Sequence, residues 1–463
     1  SRFESSKAPR PRVLLYEPRH RGARLPLSLL HVASALDARV AIVDGRLEMA
    51  PVALVAELAK EAVCLGVSAA TGPGLADALE VTRGAKAVRP DLPVIWGGPH
   101  ATLRPAECLG TGLVDACVLG AGERTLRDVV EALGAGGADA SIPGMAFLRD
   151  QQVVESLPRA PEDVNQLPAL DYALLDLERH FRHRGARRAE VVTSRGGAFT
   201  GLPWCGLNAP RVVELAQDLV ERLRVAQVVF VDQGFFADAA RAAAIARGLA
   251  PFADRMSWEA SATLPDLQRA LAALDGDELH ASGARRITLF AEDAAEAARP
   301  SVEALLRAGL AVRVCLIVGR VRRDPSAMGL AQGVARELLR LPGPVSVDLR
   351  LFEPWPGGDD AEAILSAAKG PSDLIGWASF EPDEFARRWL PAPLVARVRR
   401  AGFYFAQASP GPRRGLGPRL VHRLARARVR TGFYGLDVER RVTLSLRRAR
   451  AALRLEHASP VED

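Results

Sequence analysis

Between Thr193 and Cys205 the chain reads Thr-Ser-Arg-Gly-Gly-Ala-Phe-Thr-Gly-Leu-Pro-Trp-Cys, a glycine-rich stretch that ends on a single thiol. Iron-sulfur clusters are held by several thiolates converging from one loop, and Cys205 alone does not meet that requirement. A thiol beside Arg195 has its thiolate favoured and can act as a nucleophile or a soft metal ligand. The same thiol packed under Trp204 would be inert, and both readings stand at this point. Cys64, Cys108, Cys117 and Cys315 are scattered through apolar or helix-like segments without paired spacing, so neither a disulfide framework nor a zinc site is expected. Asp232, Glu259, Glu292 and Glu353, near the ends of apolar runs, are candidate general bases, each with a structural role as the alternative.

Regular elements must position these groups. From residue 12 onward, short apolar runs (13–16, 41–43, 64–68, 94–98 and 117–120) alternate with amphipathic helical stretches (25–36, 52–62, 75–88 and 125–133). Nearly continuous apolar strands in βα alternation predict a parallel sheet covered on both faces. Such sheets bind ligands at the carboxyl ends of their strands. Those ends carry Ser68, Thr71 and Gly72, then Gly97, Gly98, His100 and Thr102, then Gly120, Gly122 and Glu123. Glycine lets a bulky ligand approach the backbone, while hydroxyls and free N–H groups hold phosphate or amide oxygens. The pattern is that of a Rossmann-like cleft. Beyond a proline-bearing linker over 151–190, alternation resumes from 191 to 351 and predicts a barrel or partial barrel.

The wording of these loops resembles a known family. Residues 94–102, Val-Ile-Trp-Gly-Gly-Pro-His-Ala-Thr, with residues 119–123, Leu-Gly-Ala-Gly-Glu, resemble the V-x-G-G-P-H-A-T and x-G-E-G-E pair in the cobalamin-binding domain of cobalamin-dependent radical-SAM enzymes. Ala121 departs from the usual Glu. The resemblance implies that this domain grips the nucleotide tail and one corrin face, with Ser68, Thr71, Gly97, Gly98, His100, Gly120, Gly122 and Glu123 as cofactor-binding residues. His100 could ligate cobalt, shape the tail pocket or fix its own loop; no residue is assigned as a metal ligand. His20, in Glu-Pro-Arg-His-Arg-Gly, bears a fainter resemblance to the D-x-H-x-x-G motif of proteins that ligate cobalt through histidine, with Glu17 in place of Asp.

The likeness continues. Residues 163–172 resemble the D-x-L-P-x-P-A-x-D linker of the family, and residues 230–236, 282–292, 310–319 and 351–357 resemble successive radical-SAM barrel landmarks in the correct order. Within that frame the stretch 193–205 is similar to S-R-G-C-P-F-x-C-x-F-C, with Gly197 and Gly201 where the first two cysteines belong and Cys205 one residue late, as though Pro203 had been inserted. The resemblance therefore implies a member without its iron-sulfur cluster. It also removes the principal anchor for S-adenosylmethionine, which is left open as a second cofactor. Thr263, Ala291 and residues 320–325 likewise depart from the family's S-adenosylmethionine pocket. Trp204, Trp258, Trp355 and Phe235 are expected at the carboxyl end of the barrel, either walling a large substrate or corrin ring or packing as ordinary core.

Composition sets the remaining bounds. At 463 residues, two or three domains are expected. With 48% hydrophobic and 25% charged residues, no apolar run near the ~20 residues that span a bilayer and a polar start, a soluble cytoplasmic protein is expected. The net charge of +6 is carried mostly by arginine, with much of the excess after residue 395. Residues 420–430 place arginine and apolar residues at helical spacing, which is either a solvated amphipathic face or a binding surface for a protein partner, an acidic substrate, a membrane or nucleic acid. Nucleic acid is not expected, because interleaved aromatics and recognised motifs are missing. The expected plan is a Rossmann-like cobalamin-binding domain over 1–150, the linker over 151–190, a radical-SAM-like partial TIM barrel over 191–370 and a helical, arginine-rich region over 371–463. The expected function is a cobalamin-binding enzyme without a cluster, performing polar methyl transfer or related cobalamin chemistry on a small natural-product-type substrate, with Asp232, Glu292 and Cys205 as catalytic candidates. The alternatives are a non-catalytic cobalamin-binding partner of a cluster-bearing enzyme, or a barrel repurposed for cofactor-free cyclisation or rearrangement.

Overall fold

The computed structural model describes residues 12–20, 24–137, 141–160, 163–197, 202–291, 297–320, 325–411, 415–435 and 437–446. The order begins β1 (Arg12–Glu17), α1 (Leu27–Ser34), β2 (Arg39–Asp44), α2 (Pro51–Ala59), β3 (Cys64–Ser68), α3 (Gly74–Val88), β4 (Val94–Gly97), α4 (Pro99–Leu103), α5 (Pro105–Leu109), β5 (Ala116–Val118), α6 (Glu123–Gly134), β6 (Met145–Arg149) and β7 (Gln152–Glu155). It continues with α7 (Leu177–Arg184), β8 (Arg188–Val191), β9 (Ser194–Gly197), β10 (Leu202–Gly206), α8 (Ala209–Glu221), β11 (Gln227–Phe230), α9 (Ala239–Leu249), β12 (Ser257–Thr263), α10 (Leu264–Ala273), α11 (Gly276–Ala281) and β13 (Ala284–Ala291). The last elements are α12 (Ala298–Arg307), β14 (Ala311–Val318), α13 (Pro325–Leu338), β15 (Val345–Leu351), α14 (Asp359–Ala367), α15 (Leu374–Ala378), α16 (Pro382–Phe385), α17 (Ala392–Ala408) and α18 (Leu416–Thr431). Two compact units result: Ser1–Phe235 with Gly248–Trp258 and Pro354–Phe385, and Phe236–Arg247 with Glu259–Glu353 and Ala386–Asp463.

In the first unit a seven-stranded sheet runs β2-β1-β3-β4-β5-β6-β7. The first five are parallel, with β1 between β2 and β3. Strand β1 is apolar on both faces, and Val13, Leu14, Leu15 and Tyr16 are buried, as helices on both sides of a parallel sheet require. At its far edge the sheet departs from the all-parallel expectation, since β6 joins β5 antiparallel and β7 joins β6 antiparallel. The reason is the connection. Asp150 and Gln151 turn the chain with φ of 51° and 64°, a two-residue turn that can link only antiparallel neighbours.

The linker lies along the same unit. Asp163, Asp171 and Asp176 each accept from a backbone N–H at the start of a short helical turn or helix. Asp171 N donates to Ser34 Oγ at 2.9 Å, and Tyr172 Oη donates to the Glu190 carbonyl at 3.1 Å. The buried Glu190 carboxylate accepts from Leu25 N at 3.1 Å and pairs with Arg184 at 2.9 Å. Strand β8 then pairs parallel with β11.

The second unit carries the parallel set β13, β14 and β15, with helices between successive strands. Helix α17 lies so close to β15 that a Cβ on Gly402 would meet the Leu349 carbonyl at 2.5 Å, so only glycine fits there. Helix α18 packs on α17, and residues 438–446 are helical. The expected architecture is therefore found: a Rossmann-like N-terminal sheet, βα alternation in the second half and a helical C-terminal region. Among the described residues no helix is long and apolar enough to cross a membrane.

Candidate cofactor site

The carboxyl ends of β3, β4 and β5 bring the predicted loops together. After β3, Ala69 N donates to the Gly97 carbonyl at 2.7 Å, and the Ala69 carbonyl accepts from His100 N at 2.9 Å. Gly98, with φ of 97°, makes this possible, because a Cβ there would lie 3.0 Å from the Ala69 oxygen. The turn delivers His100 into the interior, fully buried, with Nδ1 3.1 Å from Thr71 Oγ1. Thr71 and His100 thus fix each other's loops. His100 Nε2 lies 3.7 Å from Glu107 Oε2, and neither atom has a hydrogen-bond partner among the described residues. Burial, aided by nearby Arg104, pushes the imidazole down to about 4, while burial raises the Glu107 carboxyl. Trp377 closes the other side, its ring edge-on to His100 at 6.2 Å and its indole N–H donating to Glu107 Oε1 at 3.3 Å.

Gly120 differs from Gly98. Its φ is 75°, its N–H donates to Thr102 Oγ1 at 3.0 Å, and a Cβ built on it would meet nothing within 4 Å among the described residues. Here the positive φ turns backbone toward open space. Gly97 has ordinary spacing to Val118 at 3.8 Å, whereas Gly122 lies close to Val32, 3.3 Å from a would-be Cβ, and so lets α1 pack against the start of α6. Gly72 lies under the Trp355 ring. Ser68 Oγ is 3.3 Å from Ser28 Oγ.

Glu123, the first residue of α6, is buried and takes a two-pronged contact from Arg195, one arm at 3.3 Å and the other shorter. Burial alone would raise this carboxyl, but the guanidinium overcomes it and holds Glu123 below the usual carboxylate range. His31 Nδ1 lies 3.9 Å from Glu123, and burial together with the Arg195 charge lowers His31 to about 4.

The hairpin of β9 and β10 supplies Arg195. Cys205 sits across from Arg195 while Leu202 sits across from Gly197, so β10 holds one more residue than its partner over this stretch, a β-bulge. The extra residue explains why the thiol comes one position late. Cys205 is half-buried, and Trp204 Nε1 donates to the Gly234 carbonyl at 2.9 Å. Buried Asp232 accepts from Thr193 N at 2.5 Å, Thr193 Oγ1 at 2.7 Å and Ser194 N at 2.8 Å, bonds that anchor the start of the hairpin. Glu292, like residues 198–201, lies outside the described residues. Glu259 pairs with Arg286 at 3.0 Å, and Glu353 is exposed.

Burial decides between the two readings for two of the aromatic residues. Phe235 and Trp258 are fully buried and pack with Phe230, at 4.6 Å between rings for Phe230 and Phe235 and 5.7 Å for Phe230 and Trp258. They form core, because their strands and the turn after β11 direct them inward. Trp355 instead joins the residues that return to the first unit, packing edge-on against Phe380 at 5.3 Å. Arg104, pairing with Glu362 at 2.6 Å, and Trp377 belong to the site without having been singled out in the sequence. Their partners lie more than 250 residues apart in the chain, and no local spacing marks such pairs. Tyr16 and Arg19, both bonded to Asp77, form a second missed cluster at the end of β1.

Residues 22–130 match the B12 binding domain. The chain is 28% identical over 255 residues to an uncharacterized methyltransferase of Pyrococcus horikoshii, PH0819, a match covering 51% of this chain and 54% of that protein, so the chain spans about half the length of this curated relative. Among solved structures it is similar to the radical S-adenosylmethionine methyltransferase TsrM from Kitasatospora setae with tryptophan substrate and a SAM analog bound, with a TM-score of 0.63 and 16% identity over 78% of this chain and 76% of that one. It is also similar to the cobalamin-dependent S-adenosylmethionine radical enzyme OxsB with aqua-cobalamin and S-adenosylmethionine bound, with a TM-score of 0.62 and 16% identity over 82% of this chain and 56% of that one. The chain thus joins a B12-binding domain to the fold of cobalamin-dependent radical-SAM methyltransferases, as its loop wording implied.

Proposed function

We propose that this protein binds cobalamin at the carboxyl end of its N-terminal sheet and transfers a methyl group by polar, non-radical chemistry to a small natural-product-type substrate in the cytoplasm. The observation that carries the reading is the single thiol, Cys205, in the position where the related fold needs three. The strand-end residues suit the cofactor. Gly120 and Ser68 offer backbone and hydroxyl to a large ligand, while Gly98, Gly122 and the Thr71–His100 pair hold the loops in shape. Gly97 and Glu123 complete this set. Cobalamin, when bound, supplies a transferable methyl group. The chain's own contribution is placement and exclusion of water. The Glu123–Arg195 pair and the bonds to Asp232 keep the hairpin fixed. A substrate nucleophile must lose its proton; Glu292, directly after β13, is the carboxylate proposed to take it, and Cys205 is the candidate nucleophile or soft ligand.

The test is a visible absorption spectrum of the purified protein reconstituted with cobalamin, iron and sulfide, then titrated with S-adenosylmethionine. Stoichiometric cobalamin without iron, and a band shift at cobalt on titration, is the expected result. A bound cluster would overturn the polar reading, and absence of cobalamin would overturn the whole of it. A second reading, a non-catalytic cobalamin-binding partner of a cluster-bearing enzyme, is favoured by Asp232, which holds the hairpin rather than standing free for catalysis. Cobalamin binding without methyl transfer to any acceptor would support that reading.

A further inference from the structure

In the second unit, α18 presents His422, Arg426 and Arg430 at four-residue spacing, one above another on a single helix face. Arg336, near the end of α13, and Arg340, just past it, repeat that spacing. All five line one cavity of about 440 Å³. Leu339, Val345 and Val429 give it an apolar wall. Among the described residues the lining contains no carboxylate, and Arg340, Arg426 and Arg430 make no ion pair. The next arginine on α18, Arg428, shows the contrast, since it pairs with Glu439 at 2.9 Å on another face. His422 Nδ1 is held by the Gln407 carbonyl at 2.7 Å, leaving Nε2 as the ring's remaining polar atom. Arg336 Nε donates to the Gln332 carbonyl at 3.3 Å.

Guanidinium groups stacked at this spacing repel one another, and facing two such rows across a cavity adds to the repulsion. An anion in the cavity would remove that cost. We infer that the cavity binds a small molecule bearing two or more linked phosphate groups. Arginine's planar fork matches phosphate oxygens, the cavity is of small-ligand size, and the apolar wall suits an organic remainder. A concave site favours a small ligand over the extended backbone of a nucleic acid. This site is separate from the cobalamin reading and does not depend on it.

Isothermal titration of the full chain with inorganic pyrophosphate, at moderate salt, tests the inference. One pyrophosphate should bind per chain, with orthophosphate at least about tenfold weaker. Arg340→Gln and Arg426→Gln, both at exposed positions, should each weaken binding about tenfold while leaving the melting temperature and the cobalamin spectrum unchanged. No heat and no rise in melting temperature with pyrophosphate would overturn the site. So would undiminished binding in the Arg340→Gln, Arg426→Gln double variant, or binding of a single-stranded RNA or poly-glutamate by a protein that ignores pyrophosphate.

Discussion

The carboxyl end of the N-terminal sheet and the β9–β10 hairpin are held by different forces. The sheet end is set by close approach: Gly98 admits the Ala69 carbonyl, Gly122 admits Val32, and the buried His100 ring locks onto Thr71. The hairpin is set by charge and hydrogen bonds, through Asp232 at its start, Arg195 on Glu123 and Trp204 on the Gly234 carbonyl. The difference teaches which of the two regions tolerates a change of side chain. A hairpin fixed by its own protein bonds keeps its path whether or not thiols occupy its positions, whereas the sheet end depends on residues that are small or buried and has little freedom to change.

Acid should break the sheet end first and most. His31 and His100 both titrate near 4 in the folded protein against about 6.5 when exposed, so the unfolded chain takes up their protons first. Their contribution is complete above pH 6.5 and falls as pH drops toward 4, by about 3 kcal/mol for each histidine. Glu123, held low by Arg195, adds a further loss at still lower pH, as its own folded-state value is passed. Urea midpoints measured from pH 7 to 4 check this, and His100→Gln should flatten the slope; a flat wild-type profile would contradict the burial argument.

Asp232→Ala attacks the hairpin instead, leaving two backbone N–H groups and the Thr193 hydroxyl without their acceptor, at a cost of about 3 kcal/mol. An unchanged urea midpoint would mean that other bonds carry the hairpin. The two glycines sharpen the contrast within the sheet end. Gly98→Ala should lower stability by about 2 kcal/mol, through its positive φ and its contact with Ala69. Gly120→Ala should cost about 1 kcal/mol, for its φ alone, yet weaken cobalamin at least tenfold by filling ligand space. Calorimetry paired with a cobalamin titration separates the two, and equal effects on cobalamin would undo the distinction. Smallest is Cys205→Ser, expected to shift stability by less than about 1 kcal/mol and to leave cobalamin binding intact. Loss of the cofactor in that variant would assign the thiol a ligand role.

Much of this was legible in the sequence because it is local. Apolar runs fixed β1 to β5, and the glycine-rich strand ends marked the loops that converge. Other parts were not legible, for identifiable reasons. The antiparallel β6–β7 edge rests on two non-glycine residues, Asp150 and Gln151, in the left-handed region, a conformation their types do not announce. Trp377 and Glu362 reach the site only through the return of Pro354–Phe385 to the first unit. Phe235 and Trp258 have the composition of a ligand wall or of a core, and only their burial decides.

The bulge in β10 takes up one extra residue without ending the pairing with β9. Side chains along a strand point alternately to its two faces, so one extra residue would reverse the parity of everything after it, and the bulge absorbs that step. Cys205 and Gly206 are therefore back in register beyond the bulge, across from Arg195 and Ser194. Deleting Pro203 would let β10 run straight and leave the thiol across from the same partner.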